Sequence, residues 1–447
     1  MARKESGEPA STSLDNSLTF IIAVASSIVY FFSNPSPQKH YDYTFRVAEN
    51  VLRGGVGFTE KQPTWLNEFV PFEGFYYSVF PLGAVLSMLP FAFLKVIGMI
   101  KEMPSAFIAA LCAGLSAMFL LLIADRYEVS RSRIVLMSLG ILFGTWTWTN
   151  VTMGGAWQLA LGIALVGELG AIYFTVYNRK PLIAGAFLAL AFGNRTEILL
   201  TAPVFLYLLW REQSGPAASA ANSVQKPARK QGRNNQVESE ALTDVRASAI
   251  RPPANAGGSD KVRQLALFCA VPFVLGVSTL IYNYVRFHSI SDFGYARIPG
   301  VLSEPWYTHG IFSVYYIPRQ IWEMLLRSWE WRPTFPLPMP NPFSSSILIS
   351  SPFLLFALRP GARDKVLKYL CSTAVLIICV VLWMHGNSGG WQFGYRYAIA
   401  ILPFLFVIML ESSPRKVTPL EWAAYSVSFG LNAYATWLFH WSSYLRT

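Results

Sequence analysis

Long runs of apolar residues, separated by shorter polar stretches, follow one another over most of the chain. Several approach the roughly 20 residues that a helix needs to cross about 30 Å of hydrocarbon. The pattern therefore predicts an all-α polytopic membrane protein with eleven or twelve transmembrane helices. The apolar runs occupy residues 18–32, 79–100, 104–124, 134–148, 157–177, 181–192, 198–210, 265–284, 347–358, 366–384, 397–410 and 422–439.

Two of the polar stretches are too long to be simple connections between helices. They cover residues 34–78 and 288–346. Each contains apolar positions at helical spacing, and aromatic residues favour the membrane interface. We predict that each loop lies outside and carries an interfacial helix. The apolar positions are Tyr43, Val47, Val51 and Leu52 in the first loop and Ile321, Met324, Leu325 and Trp329 in the second.

A third polar stretch, residues 211–263, contains no aromatic residue and is rich in Ala, Ser, Pro, Asn, Lys and Arg. Such a composition cannot bury enough apolar surface to order itself. We predict a disordered cytoplasmic linker, with a regulatory or lipid-binding segment as the less favoured alternative. It divides an N-terminal transmembrane block, residues 18–210, from a C-terminal block, residues 264–447. Residues 1–17 are then a cytoplasmic tail.

Composition supports a membrane protein, since 53% of residues are hydrophobic and only 14% are charged. Soluble domains carry about a quarter charged residues. The net charge of +11 is explained by basic residues beside apolar runs, as the positive-inside rule expects, rather than by nucleic-acid binding. Placing these basic residues on the cytoplasmic side requires one membrane crossing more, or one fewer, in the middle of the chain than the apolar runs provide. The four cysteines all fall in apolar runs and are interpreted as core residues, not as metal ligands or disulfides.

Carboxylates in the first loop are the leading catalytic candidates. Asp42 follows the first apolar run, within HYDYTFRVAENVLRGG. A carboxylate at the membrane surface can act as a general base; the alternative is an ordinary Asp favoured by a helix N-terminus. Glu68, in PTWLNEFVPFEGFYYSVFP, could position an acceptor, help hold a metal or simply be solvated. Tyr76 of the same stretch is a substrate-binding candidate or an interface anchor.

Charged residues beside other apolar runs form a second group of candidates. Arg195 and Glu197, in AFGNRTEILL, either face a cavity or lie in a turn between two spans. Arginines at the outer ends of spans oppose the positive-inside trend, and a guanidinium binds phosphate through paired hydrogen bonds. An anionic lipid head group would account for them. These arginines are Arg286 and Arg297 in YNYVRFHSISDFGYARIPG, beside Tyr295, and Arg396 in GGWQFGYRYAIAILPF.

Several of these motifs resemble those of the GT-C superfamily, in its uncharacterised bacterial branch. They are AENVLRGG, NEFVPFEGFYYSVFPLGAVLSMLP, GNRTEILLTAP, YNYVRFHSISDFGY and GYRYAIAILPF. GT-C enzymes are integral membrane glycosyltransferases that use polyprenyl-phosphate-linked sugars, and they include protein O-mannosyltransferases and aminoarabinose transferases. The resemblance implies a GT-C-like fold in a bacterial inner (plasma) membrane. It further implies Asp42 as the catalytic residue and suggests Arg286, Arg297 and Arg396 for donor phosphate contact.

Two departures from the family pattern bear on the chemistry. Many members carry two adjacent acidic residues in the first loop, whereas Tyr41 and Tyr43 flank Asp42 here. This weakens a metal-dependent mechanism but leaves a divalent cation open. Ala400 stands where similar sequences often place an acidic residue, which leaves Arg396 without an obvious local counter-ion.

The sequence therefore predicts an inverting transfer of a sugar from a polyprenyl-phosphate donor to an acceptor lipid, glycan or protein at the outer face. A transporter or lipid flippase is the first alternative. It predicts ionisable residues near mid-span, broken helices and internal repeats, and only residues 194–197 fit this pattern. A non-catalytic envelope-assembly subunit, for which Asp42 would be dispensable, is the second.

Overall fold

The computed structural model describes residues 14–211, 256–336 and 338–445, which are mostly helical, as predicted. We number the α-helices α1 to α15 along these residues. They are α1 Asn16–Phe32, α2 Tyr43–Leu52, α3 Leu82–Val96, α4 Ser105–Ala124, α5 Arg131–Phe143, α6 Thr147–Met153, α7 Ala156–Ile172, α8 Pro181–Asn194, α9 Ala202–Trp210, α10 Ala256–Phe287, α11 Ile317–Ile321, α12 Ile347–Ser350, α13 Lys365–Met384, α14 Leu402–Ser412 and α15 Pro419–His440.

Four helices in the described part of the chain are long and apolar enough to cross a membrane. A fifth is added if α5 and α6, which bend by 48° at their junction, form one span. The prediction of eleven or twelve transmembrane helices exceeds this number, and for the remaining spans it stays a prediction. The four segments are Ser105–Ala124, Ala156–Tyr177, Gly258–Phe287 and Lys365–Met384, and shorter apolar helices are Asn16–Phe32, Leu82–Val96, Pro181–Asn194 and Thr196–Trp210.

Two predicted boundaries need correction. The predicted linker 211–263 lies mostly outside the described residues, but its end is helical because α10 already begins at Ala256. The predicted span 347–358 is not one helix. It breaks at Ser351, which has an extended φ of −142°, and continues as a 3-10 segment from Pro352 to Leu358. The tail 1–17 also lies mostly outside the described residues, and α1 begins at Asn16 after the N-cap residue Asp15.

The first outer loop folds as a helix followed by a hairpin. The predicted helix is present as α2, and Tyr43, Phe45 and Val47 on it are buried in the protein, whereas Leu52 at its end is exposed. The hairpin was not predicted. Strands β1 Phe69–Phe72 and β2 Phe75–Ser78 pair antiparallel, with Phe72 opposite Phe75. Glu73 and Gly74 both have positive φ, as a two-residue hairpin turn requires.

The predicted helix of the second outer loop is shorter than expected. Helix α11 continues as a π-helical turn, Trp322–Leu326, and ends at Arg327, whose side chain donates a hydrogen bond to Ser344 Oγ at 2.9 Å. Trp329 therefore lies beyond the helix and does not share its apolar face. Met324 and Trp329 are both buried in the protein core.

Two six-residue 3-10 segments lead into helices in a similar way, and each following helix has a proline in its first turn. In the first, Arg195 is extended after α8, and Thr196–Thr201 runs into α9. In the second, a loop after α13 ends at Tyr395, with φ −133° and ψ 89°, and Arg396–Ile401 runs into α14. We call these two segments, each with the residue before it, the helix breaks.

A close crossing of α3 and α8 fixes the position of the first break. A Cβ atom on Gly83 would lie 2.3 Å from the Cα of Gly193, so the two backbones touch as small residues allow. The next residue, Asn194, donates a hydrogen bond to Ser87 Oγ on α3 at 2.9 Å. The backbone that leads into Arg195 is therefore held directly against the helix that follows the first loop.

Candidate functional site

A cavity of about 1890 Å³ lies where the first outer loop, α7, the two helix breaks and the second outer loop meet. It brings together six of the nine residues that the sequence nominated. These are Asp42, Glu68, Arg195, Glu197, Tyr295 and Arg396. They come from segments up to 354 residues apart in sequence, the separation of Asp42 and Arg396 (396 − 42), so only the fold unites them.

Arg396 is a buried cation without a carboxylate partner. It is 7% exposed, and no carboxylate forms an ion pair with it among residues 14–211, 256–336 and 338–445. Its Nη2 donates to the hydroxyl of Tyr397 at 3.2 Å, while its Nε is buried and has no hydrogen-bond partner in this part of the chain. A buried guanidinium in this state favours an anionic ligand.

Arg195 shares an aromatic ring with Arg396 but differs in its charge balance. The Arg195 guanidinium carbon lies 4.6 Å from the centroid of the Tyr397 ring, and that of Arg396 lies 5.1 Å from it. Arg195 also donates to Glu197 Oε1 from Nε at 2.8 Å and from Nη2 at 2.6 Å. Glu197 therefore neutralises Arg195, and of the two arginines only Arg396 keeps an uncompensated positive charge within the described residues.

Asp42 occupies the N-cap position of α2 but makes no capping hydrogen bond. Its two carboxylate oxygens instead accept from Nε and Nη2 of Arg46, each at 3.2 Å. Burial raises the pKa of Asp42, and the charge and hydrogen bonds of Arg46 oppose that rise. Asp42 thus lies at a helix N-terminus, as the alternative interpretation expects, and Arg46 holds its carboxylate at the cavity wall.

Glu68 is held at the cavity by Trp157 of α7. The indole Nε1 donates to both carboxylate oxygens, at 2.9 and 2.8 Å. Burial raises the pKa of Glu68 to about 7, although the indole hydrogen bond and the charge of Arg396 both lower it. A carboxyl with a pKa near neutrality can exchange a proton during a reaction cycle.

His385 lines the cavity, and its sequence position fits a plain interfacial residue as well as a functional one. Its Nδ1 lies 2.7 Å from the carbonyl oxygen of Asn387, which can only accept, so Nδ1 carries the hydrogen. Burial lowers the pKa of His385 and keeps the imidazole neutral. Its position directly after an apolar run, in MHGNSGG, resembles that of any interfacial histidine, and only the fold distinguishes it.

The other three nominated residues do not line this cavity. Arg286 is 1% exposed and donates to the carbonyl oxygen of Ser78 and, at 2.7 Å, to Asn283 Oδ1. Arg297 pairs with Asp292 at 2.6 Å. Tyr76 pairs through its backbone with Phe58. Phosphate contact by Arg286 and Arg297 and substrate binding by Tyr76 stay predictions, and the structure shows the two arginines already engaged by protein groups.

Within the described ranges, no group of three or more His, Cys, Asp or Glu side chains is arranged to hold a metal ion.

Comparisons with known proteins give one structural similarity. No protein-family model matches the sequence, and no curated protein is significantly similar to it. The fold is similar to the crystal structure of the Archaeoglobus fulgidus oligosaccharyltransferase in the apo form, with a TM-score of 0.40 and 11% sequence identity. The match covers 94% of this chain and 55% of that one, so this chain spans about half the length of the archaeal protein. A likeness at this level carries no argument about activity.

Proposed function

We propose that this chain is a membrane glycosyltransferase that moves a sugar from a polyprenyl-phosphate donor to an acceptor at the outer face of the membrane. One observation supports the proposal above the others. A single cavity contains a buried, unpaired guanidinium, that of Arg396, together with the carboxylates of Asp42 and Glu68. A phosphate-linked donor and a general base are what such a transfer needs.

Arg396 is the proposed contact for the donor phosphate. An anion bound there would accept hydrogen bonds from the guanidinium and remove the free-energy cost of an unpaired buried charge. Arg195, over the same tyrosine ring, stays neutralised by Glu197 and adds hydrogen-bonding capacity without a second net charge.

The apolar part of the cavity wall supports a lipid-linked donor. Ile311 and Phe312 of the second loop and Val381 and Leu382 of α13 line the same cavity as Arg396. Helix α13 is long and apolar enough to span a membrane. A polyprenyl chain attached to the phosphate would therefore find apolar side chains beside it and hydrocarbon beyond.

Asp42 is the proposed general base. It would take the proton from the acceptor hydroxyl as that oxygen forms a bond to the anomeric carbon of the sugar. The bond from that carbon to the phosphate oxygen breaks, and the phosphate leaves with the electron pair, stabilised by Arg396. One displacement of this kind inverts the configuration at the anomeric carbon.

The test is turnover of a polyprenyl-phosphate-linked sugar by the full chain in proteoliposomes. We expect Asp42→Asn to lower kcat by about 10²- to 10⁴-fold, the usual contribution of a general base, with donor affinity nearly unchanged. Asp15→Asn is the matched control, since asparagine also caps α1. Full turnover by Asp42→Asn would contradict the assignment of the base.

A lipid flippase or transporter is the second candidate, and Glu168 favours it. This residue lies in α7, inside a helix able to span a membrane, and is fully buried. Neither carboxylate oxygen has a hydrogen-bond partner within the described residues. Ionisable groups at such depth often mark transport pathways. Translocation of labelled polyprenyl phosphate that is lost in Glu168→Gln, with no sugar transfer by either protein, would favour this function.

A further inference from the structure

The cavity contains two opposite charges that are not joined in an ion pair. Arg195 and Glu197 neutralise each other at 2.6 Å. Arg396 and Glu68 line the same cavity, and neither forms a salt bridge with any residue of the described ranges. The positive charge of Arg396 nevertheless acts on the Glu68 carboxyl. The ionised state of Glu68 therefore depends on a cation that a ligand can neutralise.

Among the described residues, Arg396 is the cation whose charge lowers the pKa of Glu68. From α7 it receives the neutral indole N–H of Trp157. From α2 it faces Tyr43, whose hydroxyl is engaged with Asn67 Oδ1 at 3.1 Å, and from the second loop it faces Tyr295. Both tyrosines are neutral, so neither supplies a positive charge to the Glu68 carboxylate.

We propose that Glu68 is the proton-binding partner of the anion site, taking up one proton when a phosphate occupies Arg396 and releasing it when the phosphate leaves. The inference rests on the phosphate site of the proposed function. A bound anion neutralises Arg396 and places a second negative charge in the cavity, and each of the two negative charges disfavours the ionised state of the other. Protonated Glu68 still accepts from Trp157 and gains an O–H with which to donate.

The direction of the pH dependence follows from this coupling. In the empty cavity the pKa of Glu68 is about 7, and the bound anion raises it further. Anion affinity is then constant at lower pH, where Glu68 is already protonated. It falls by up to about tenfold per pH unit between the empty-cavity pKa and the bound-state pKa, and levels off above the latter.

Isothermal titration calorimetry of the full chain in detergent measures the coupled proton directly. The probe is the methyl diester of a polyprenyl phosphate, a monoanion with no proton to exchange near neutral pH. Titration at pH 7.5 in two buffers of different ionisation enthalpy gives the number of protons bound. We expect uptake of about half a proton or more for the unmodified protein, given a starting pKa of about 7, and no uptake for Glu68→Gln.

Glu102→Gln is the matched control. Glu102 also lines the cavity but is exposed and already paired with Lys39. Proton uptake in this variant should equal that of the unmodified protein.

The outcomes separate the inference from the proposed function. Binding without proton uptake, or uptake that persists in Glu68→Gln, would overturn the inference and leave the phosphate site standing. Loss of uptake in His385→Asn alone would assign the proton to His385 and likewise overturn it. Failure of the unmodified protein to bind the probe, or full binding by Arg396→Gln, would remove the phosphate site and the inference with it.

Discussion

Two arginine–glutamate arrangements lie in different parts of the fold and differ in whether their opposite charges form ion pairs. Away from the cavity, Arg133 donates to both carboxylate oxygens of Glu421, from Nη1 and Nη2, each at 2.6 Å. Arg359 donates to the same carboxylate at 2.5 Å. We call Arg133, Arg359 and Glu421 the ion-pair cluster. In the cavity, Arg396 and Glu68 share a wall without an ion pair.

The pKa values of the two glutamates record this difference. Burial alone would raise the pKa of both glutamates. In the ion-pair cluster, hydrogen bonds from Arg133, the Thr418 backbone and Arg359 overcome burial and lower the pKa of Glu421 to about 2. In the cavity, Trp157 and Arg396 oppose burial only in part, and the pKa of Glu68 remains about 7. Paired opposite charges join helices together, whereas a buried charge without an ion pair leaves capacity for a ligand.

Removing the shared carboxylate of the ion-pair cluster should have the largest effect on stability. Glu421→Gln leaves Arg133 buried without a counter-ion, and losing one partner of a buried pair typically costs about 3–5 kcal/mol. Unfolding of the detergent-solubilised protein measures the loss, with Glu68→Gln as the control. Equal stability of the two variants at pH 7 would contradict the proposed difference between the ion-pair cluster and the cavity.

Acid should weaken the ion-pair cluster only after Glu68 in the cavity has taken up its proton. The folded pKa of Glu421, about 2, lies below its ordinary value. Its contribution, on the order of 3 kcal/mol, is fully present above about pH 4.5 and lost as pH falls toward 2. The free energy of unfolding measured between pH 6 and pH 3 should decline more steeply for the unmodified protein than for Glu421→Gln. Parallel curves would contradict this.

Separating α3 from α8 should disturb the cavity alone. Gly83→Ala places a methyl group 2.3 Å from the Gly193 backbone, and overpacking of this kind costs about 1–3 kcal/mol. Because Arg195 follows this crossing, sugar transfer should fall as well. Gly276→Ala on α10, where nothing lies within 4 Å of the added Cβ, should be nearly neutral in both assays. A neutral Gly83→Ala would show that the crossing does not position the break.

The response of stability to Glu68 should have the opposite sign to that of Glu421. The folded pKa of Glu68 is raised, so the unmodified protein loses stability as pH rises from about 4.5 through about 7. Glu68→Gln removes this loss and should be more stable than the unmodified protein at pH 8, by on the order of 3 kcal/mol, and nearly equal to it at pH 4.5. Thermal unfolding at the two pH values checks the sign, which reverses if Glu68 is stabilised as an anion.

The sequence predicted the helical character because apolar runs are visible locally. Six of the residues it nominated line the cavity, and their functional roles stay predictions. The sequence did not predict the hairpin, since FVPFEGFYYS contains a proline and lies inside the stretch predicted to be an outer loop. It also could not rank Arg286 against Arg396, which both lie at the end of an apolar run. Arg286 is satisfied by the Ser78 carbonyl, 208 residues away, and Arg396 is not. Such partners are set by tertiary structure alone.

The same limit explains the residues that sequence reasoning missed. Trp157 was read as the start of an apolar run, yet its indole N–H holds Glu68. The second break, at Tyr395, was not predicted because the residues after it read as one apolar run. The segments GNRTEILLTAP and GYRYAIAILP nevertheless share a Gly, an Arg two residues later and a following Pro. Recognising that shared pattern would have indicated both breaks.

Binding of the polyprenyl phosphate methyl diester to two arginine variants tests the central claim most directly. Arg396→Gln removes the unpaired buried cation, and Arg297→Gln removes one that is paired with Asp292 outside the cavity. We predict at least a tenfold loss of affinity for Arg396→Gln, about 1.4 kcal/mol or more, and a change within about twofold for Arg297→Gln. Unchanged affinity in Arg396→Gln, or an equal loss in both variants, would contradict the account.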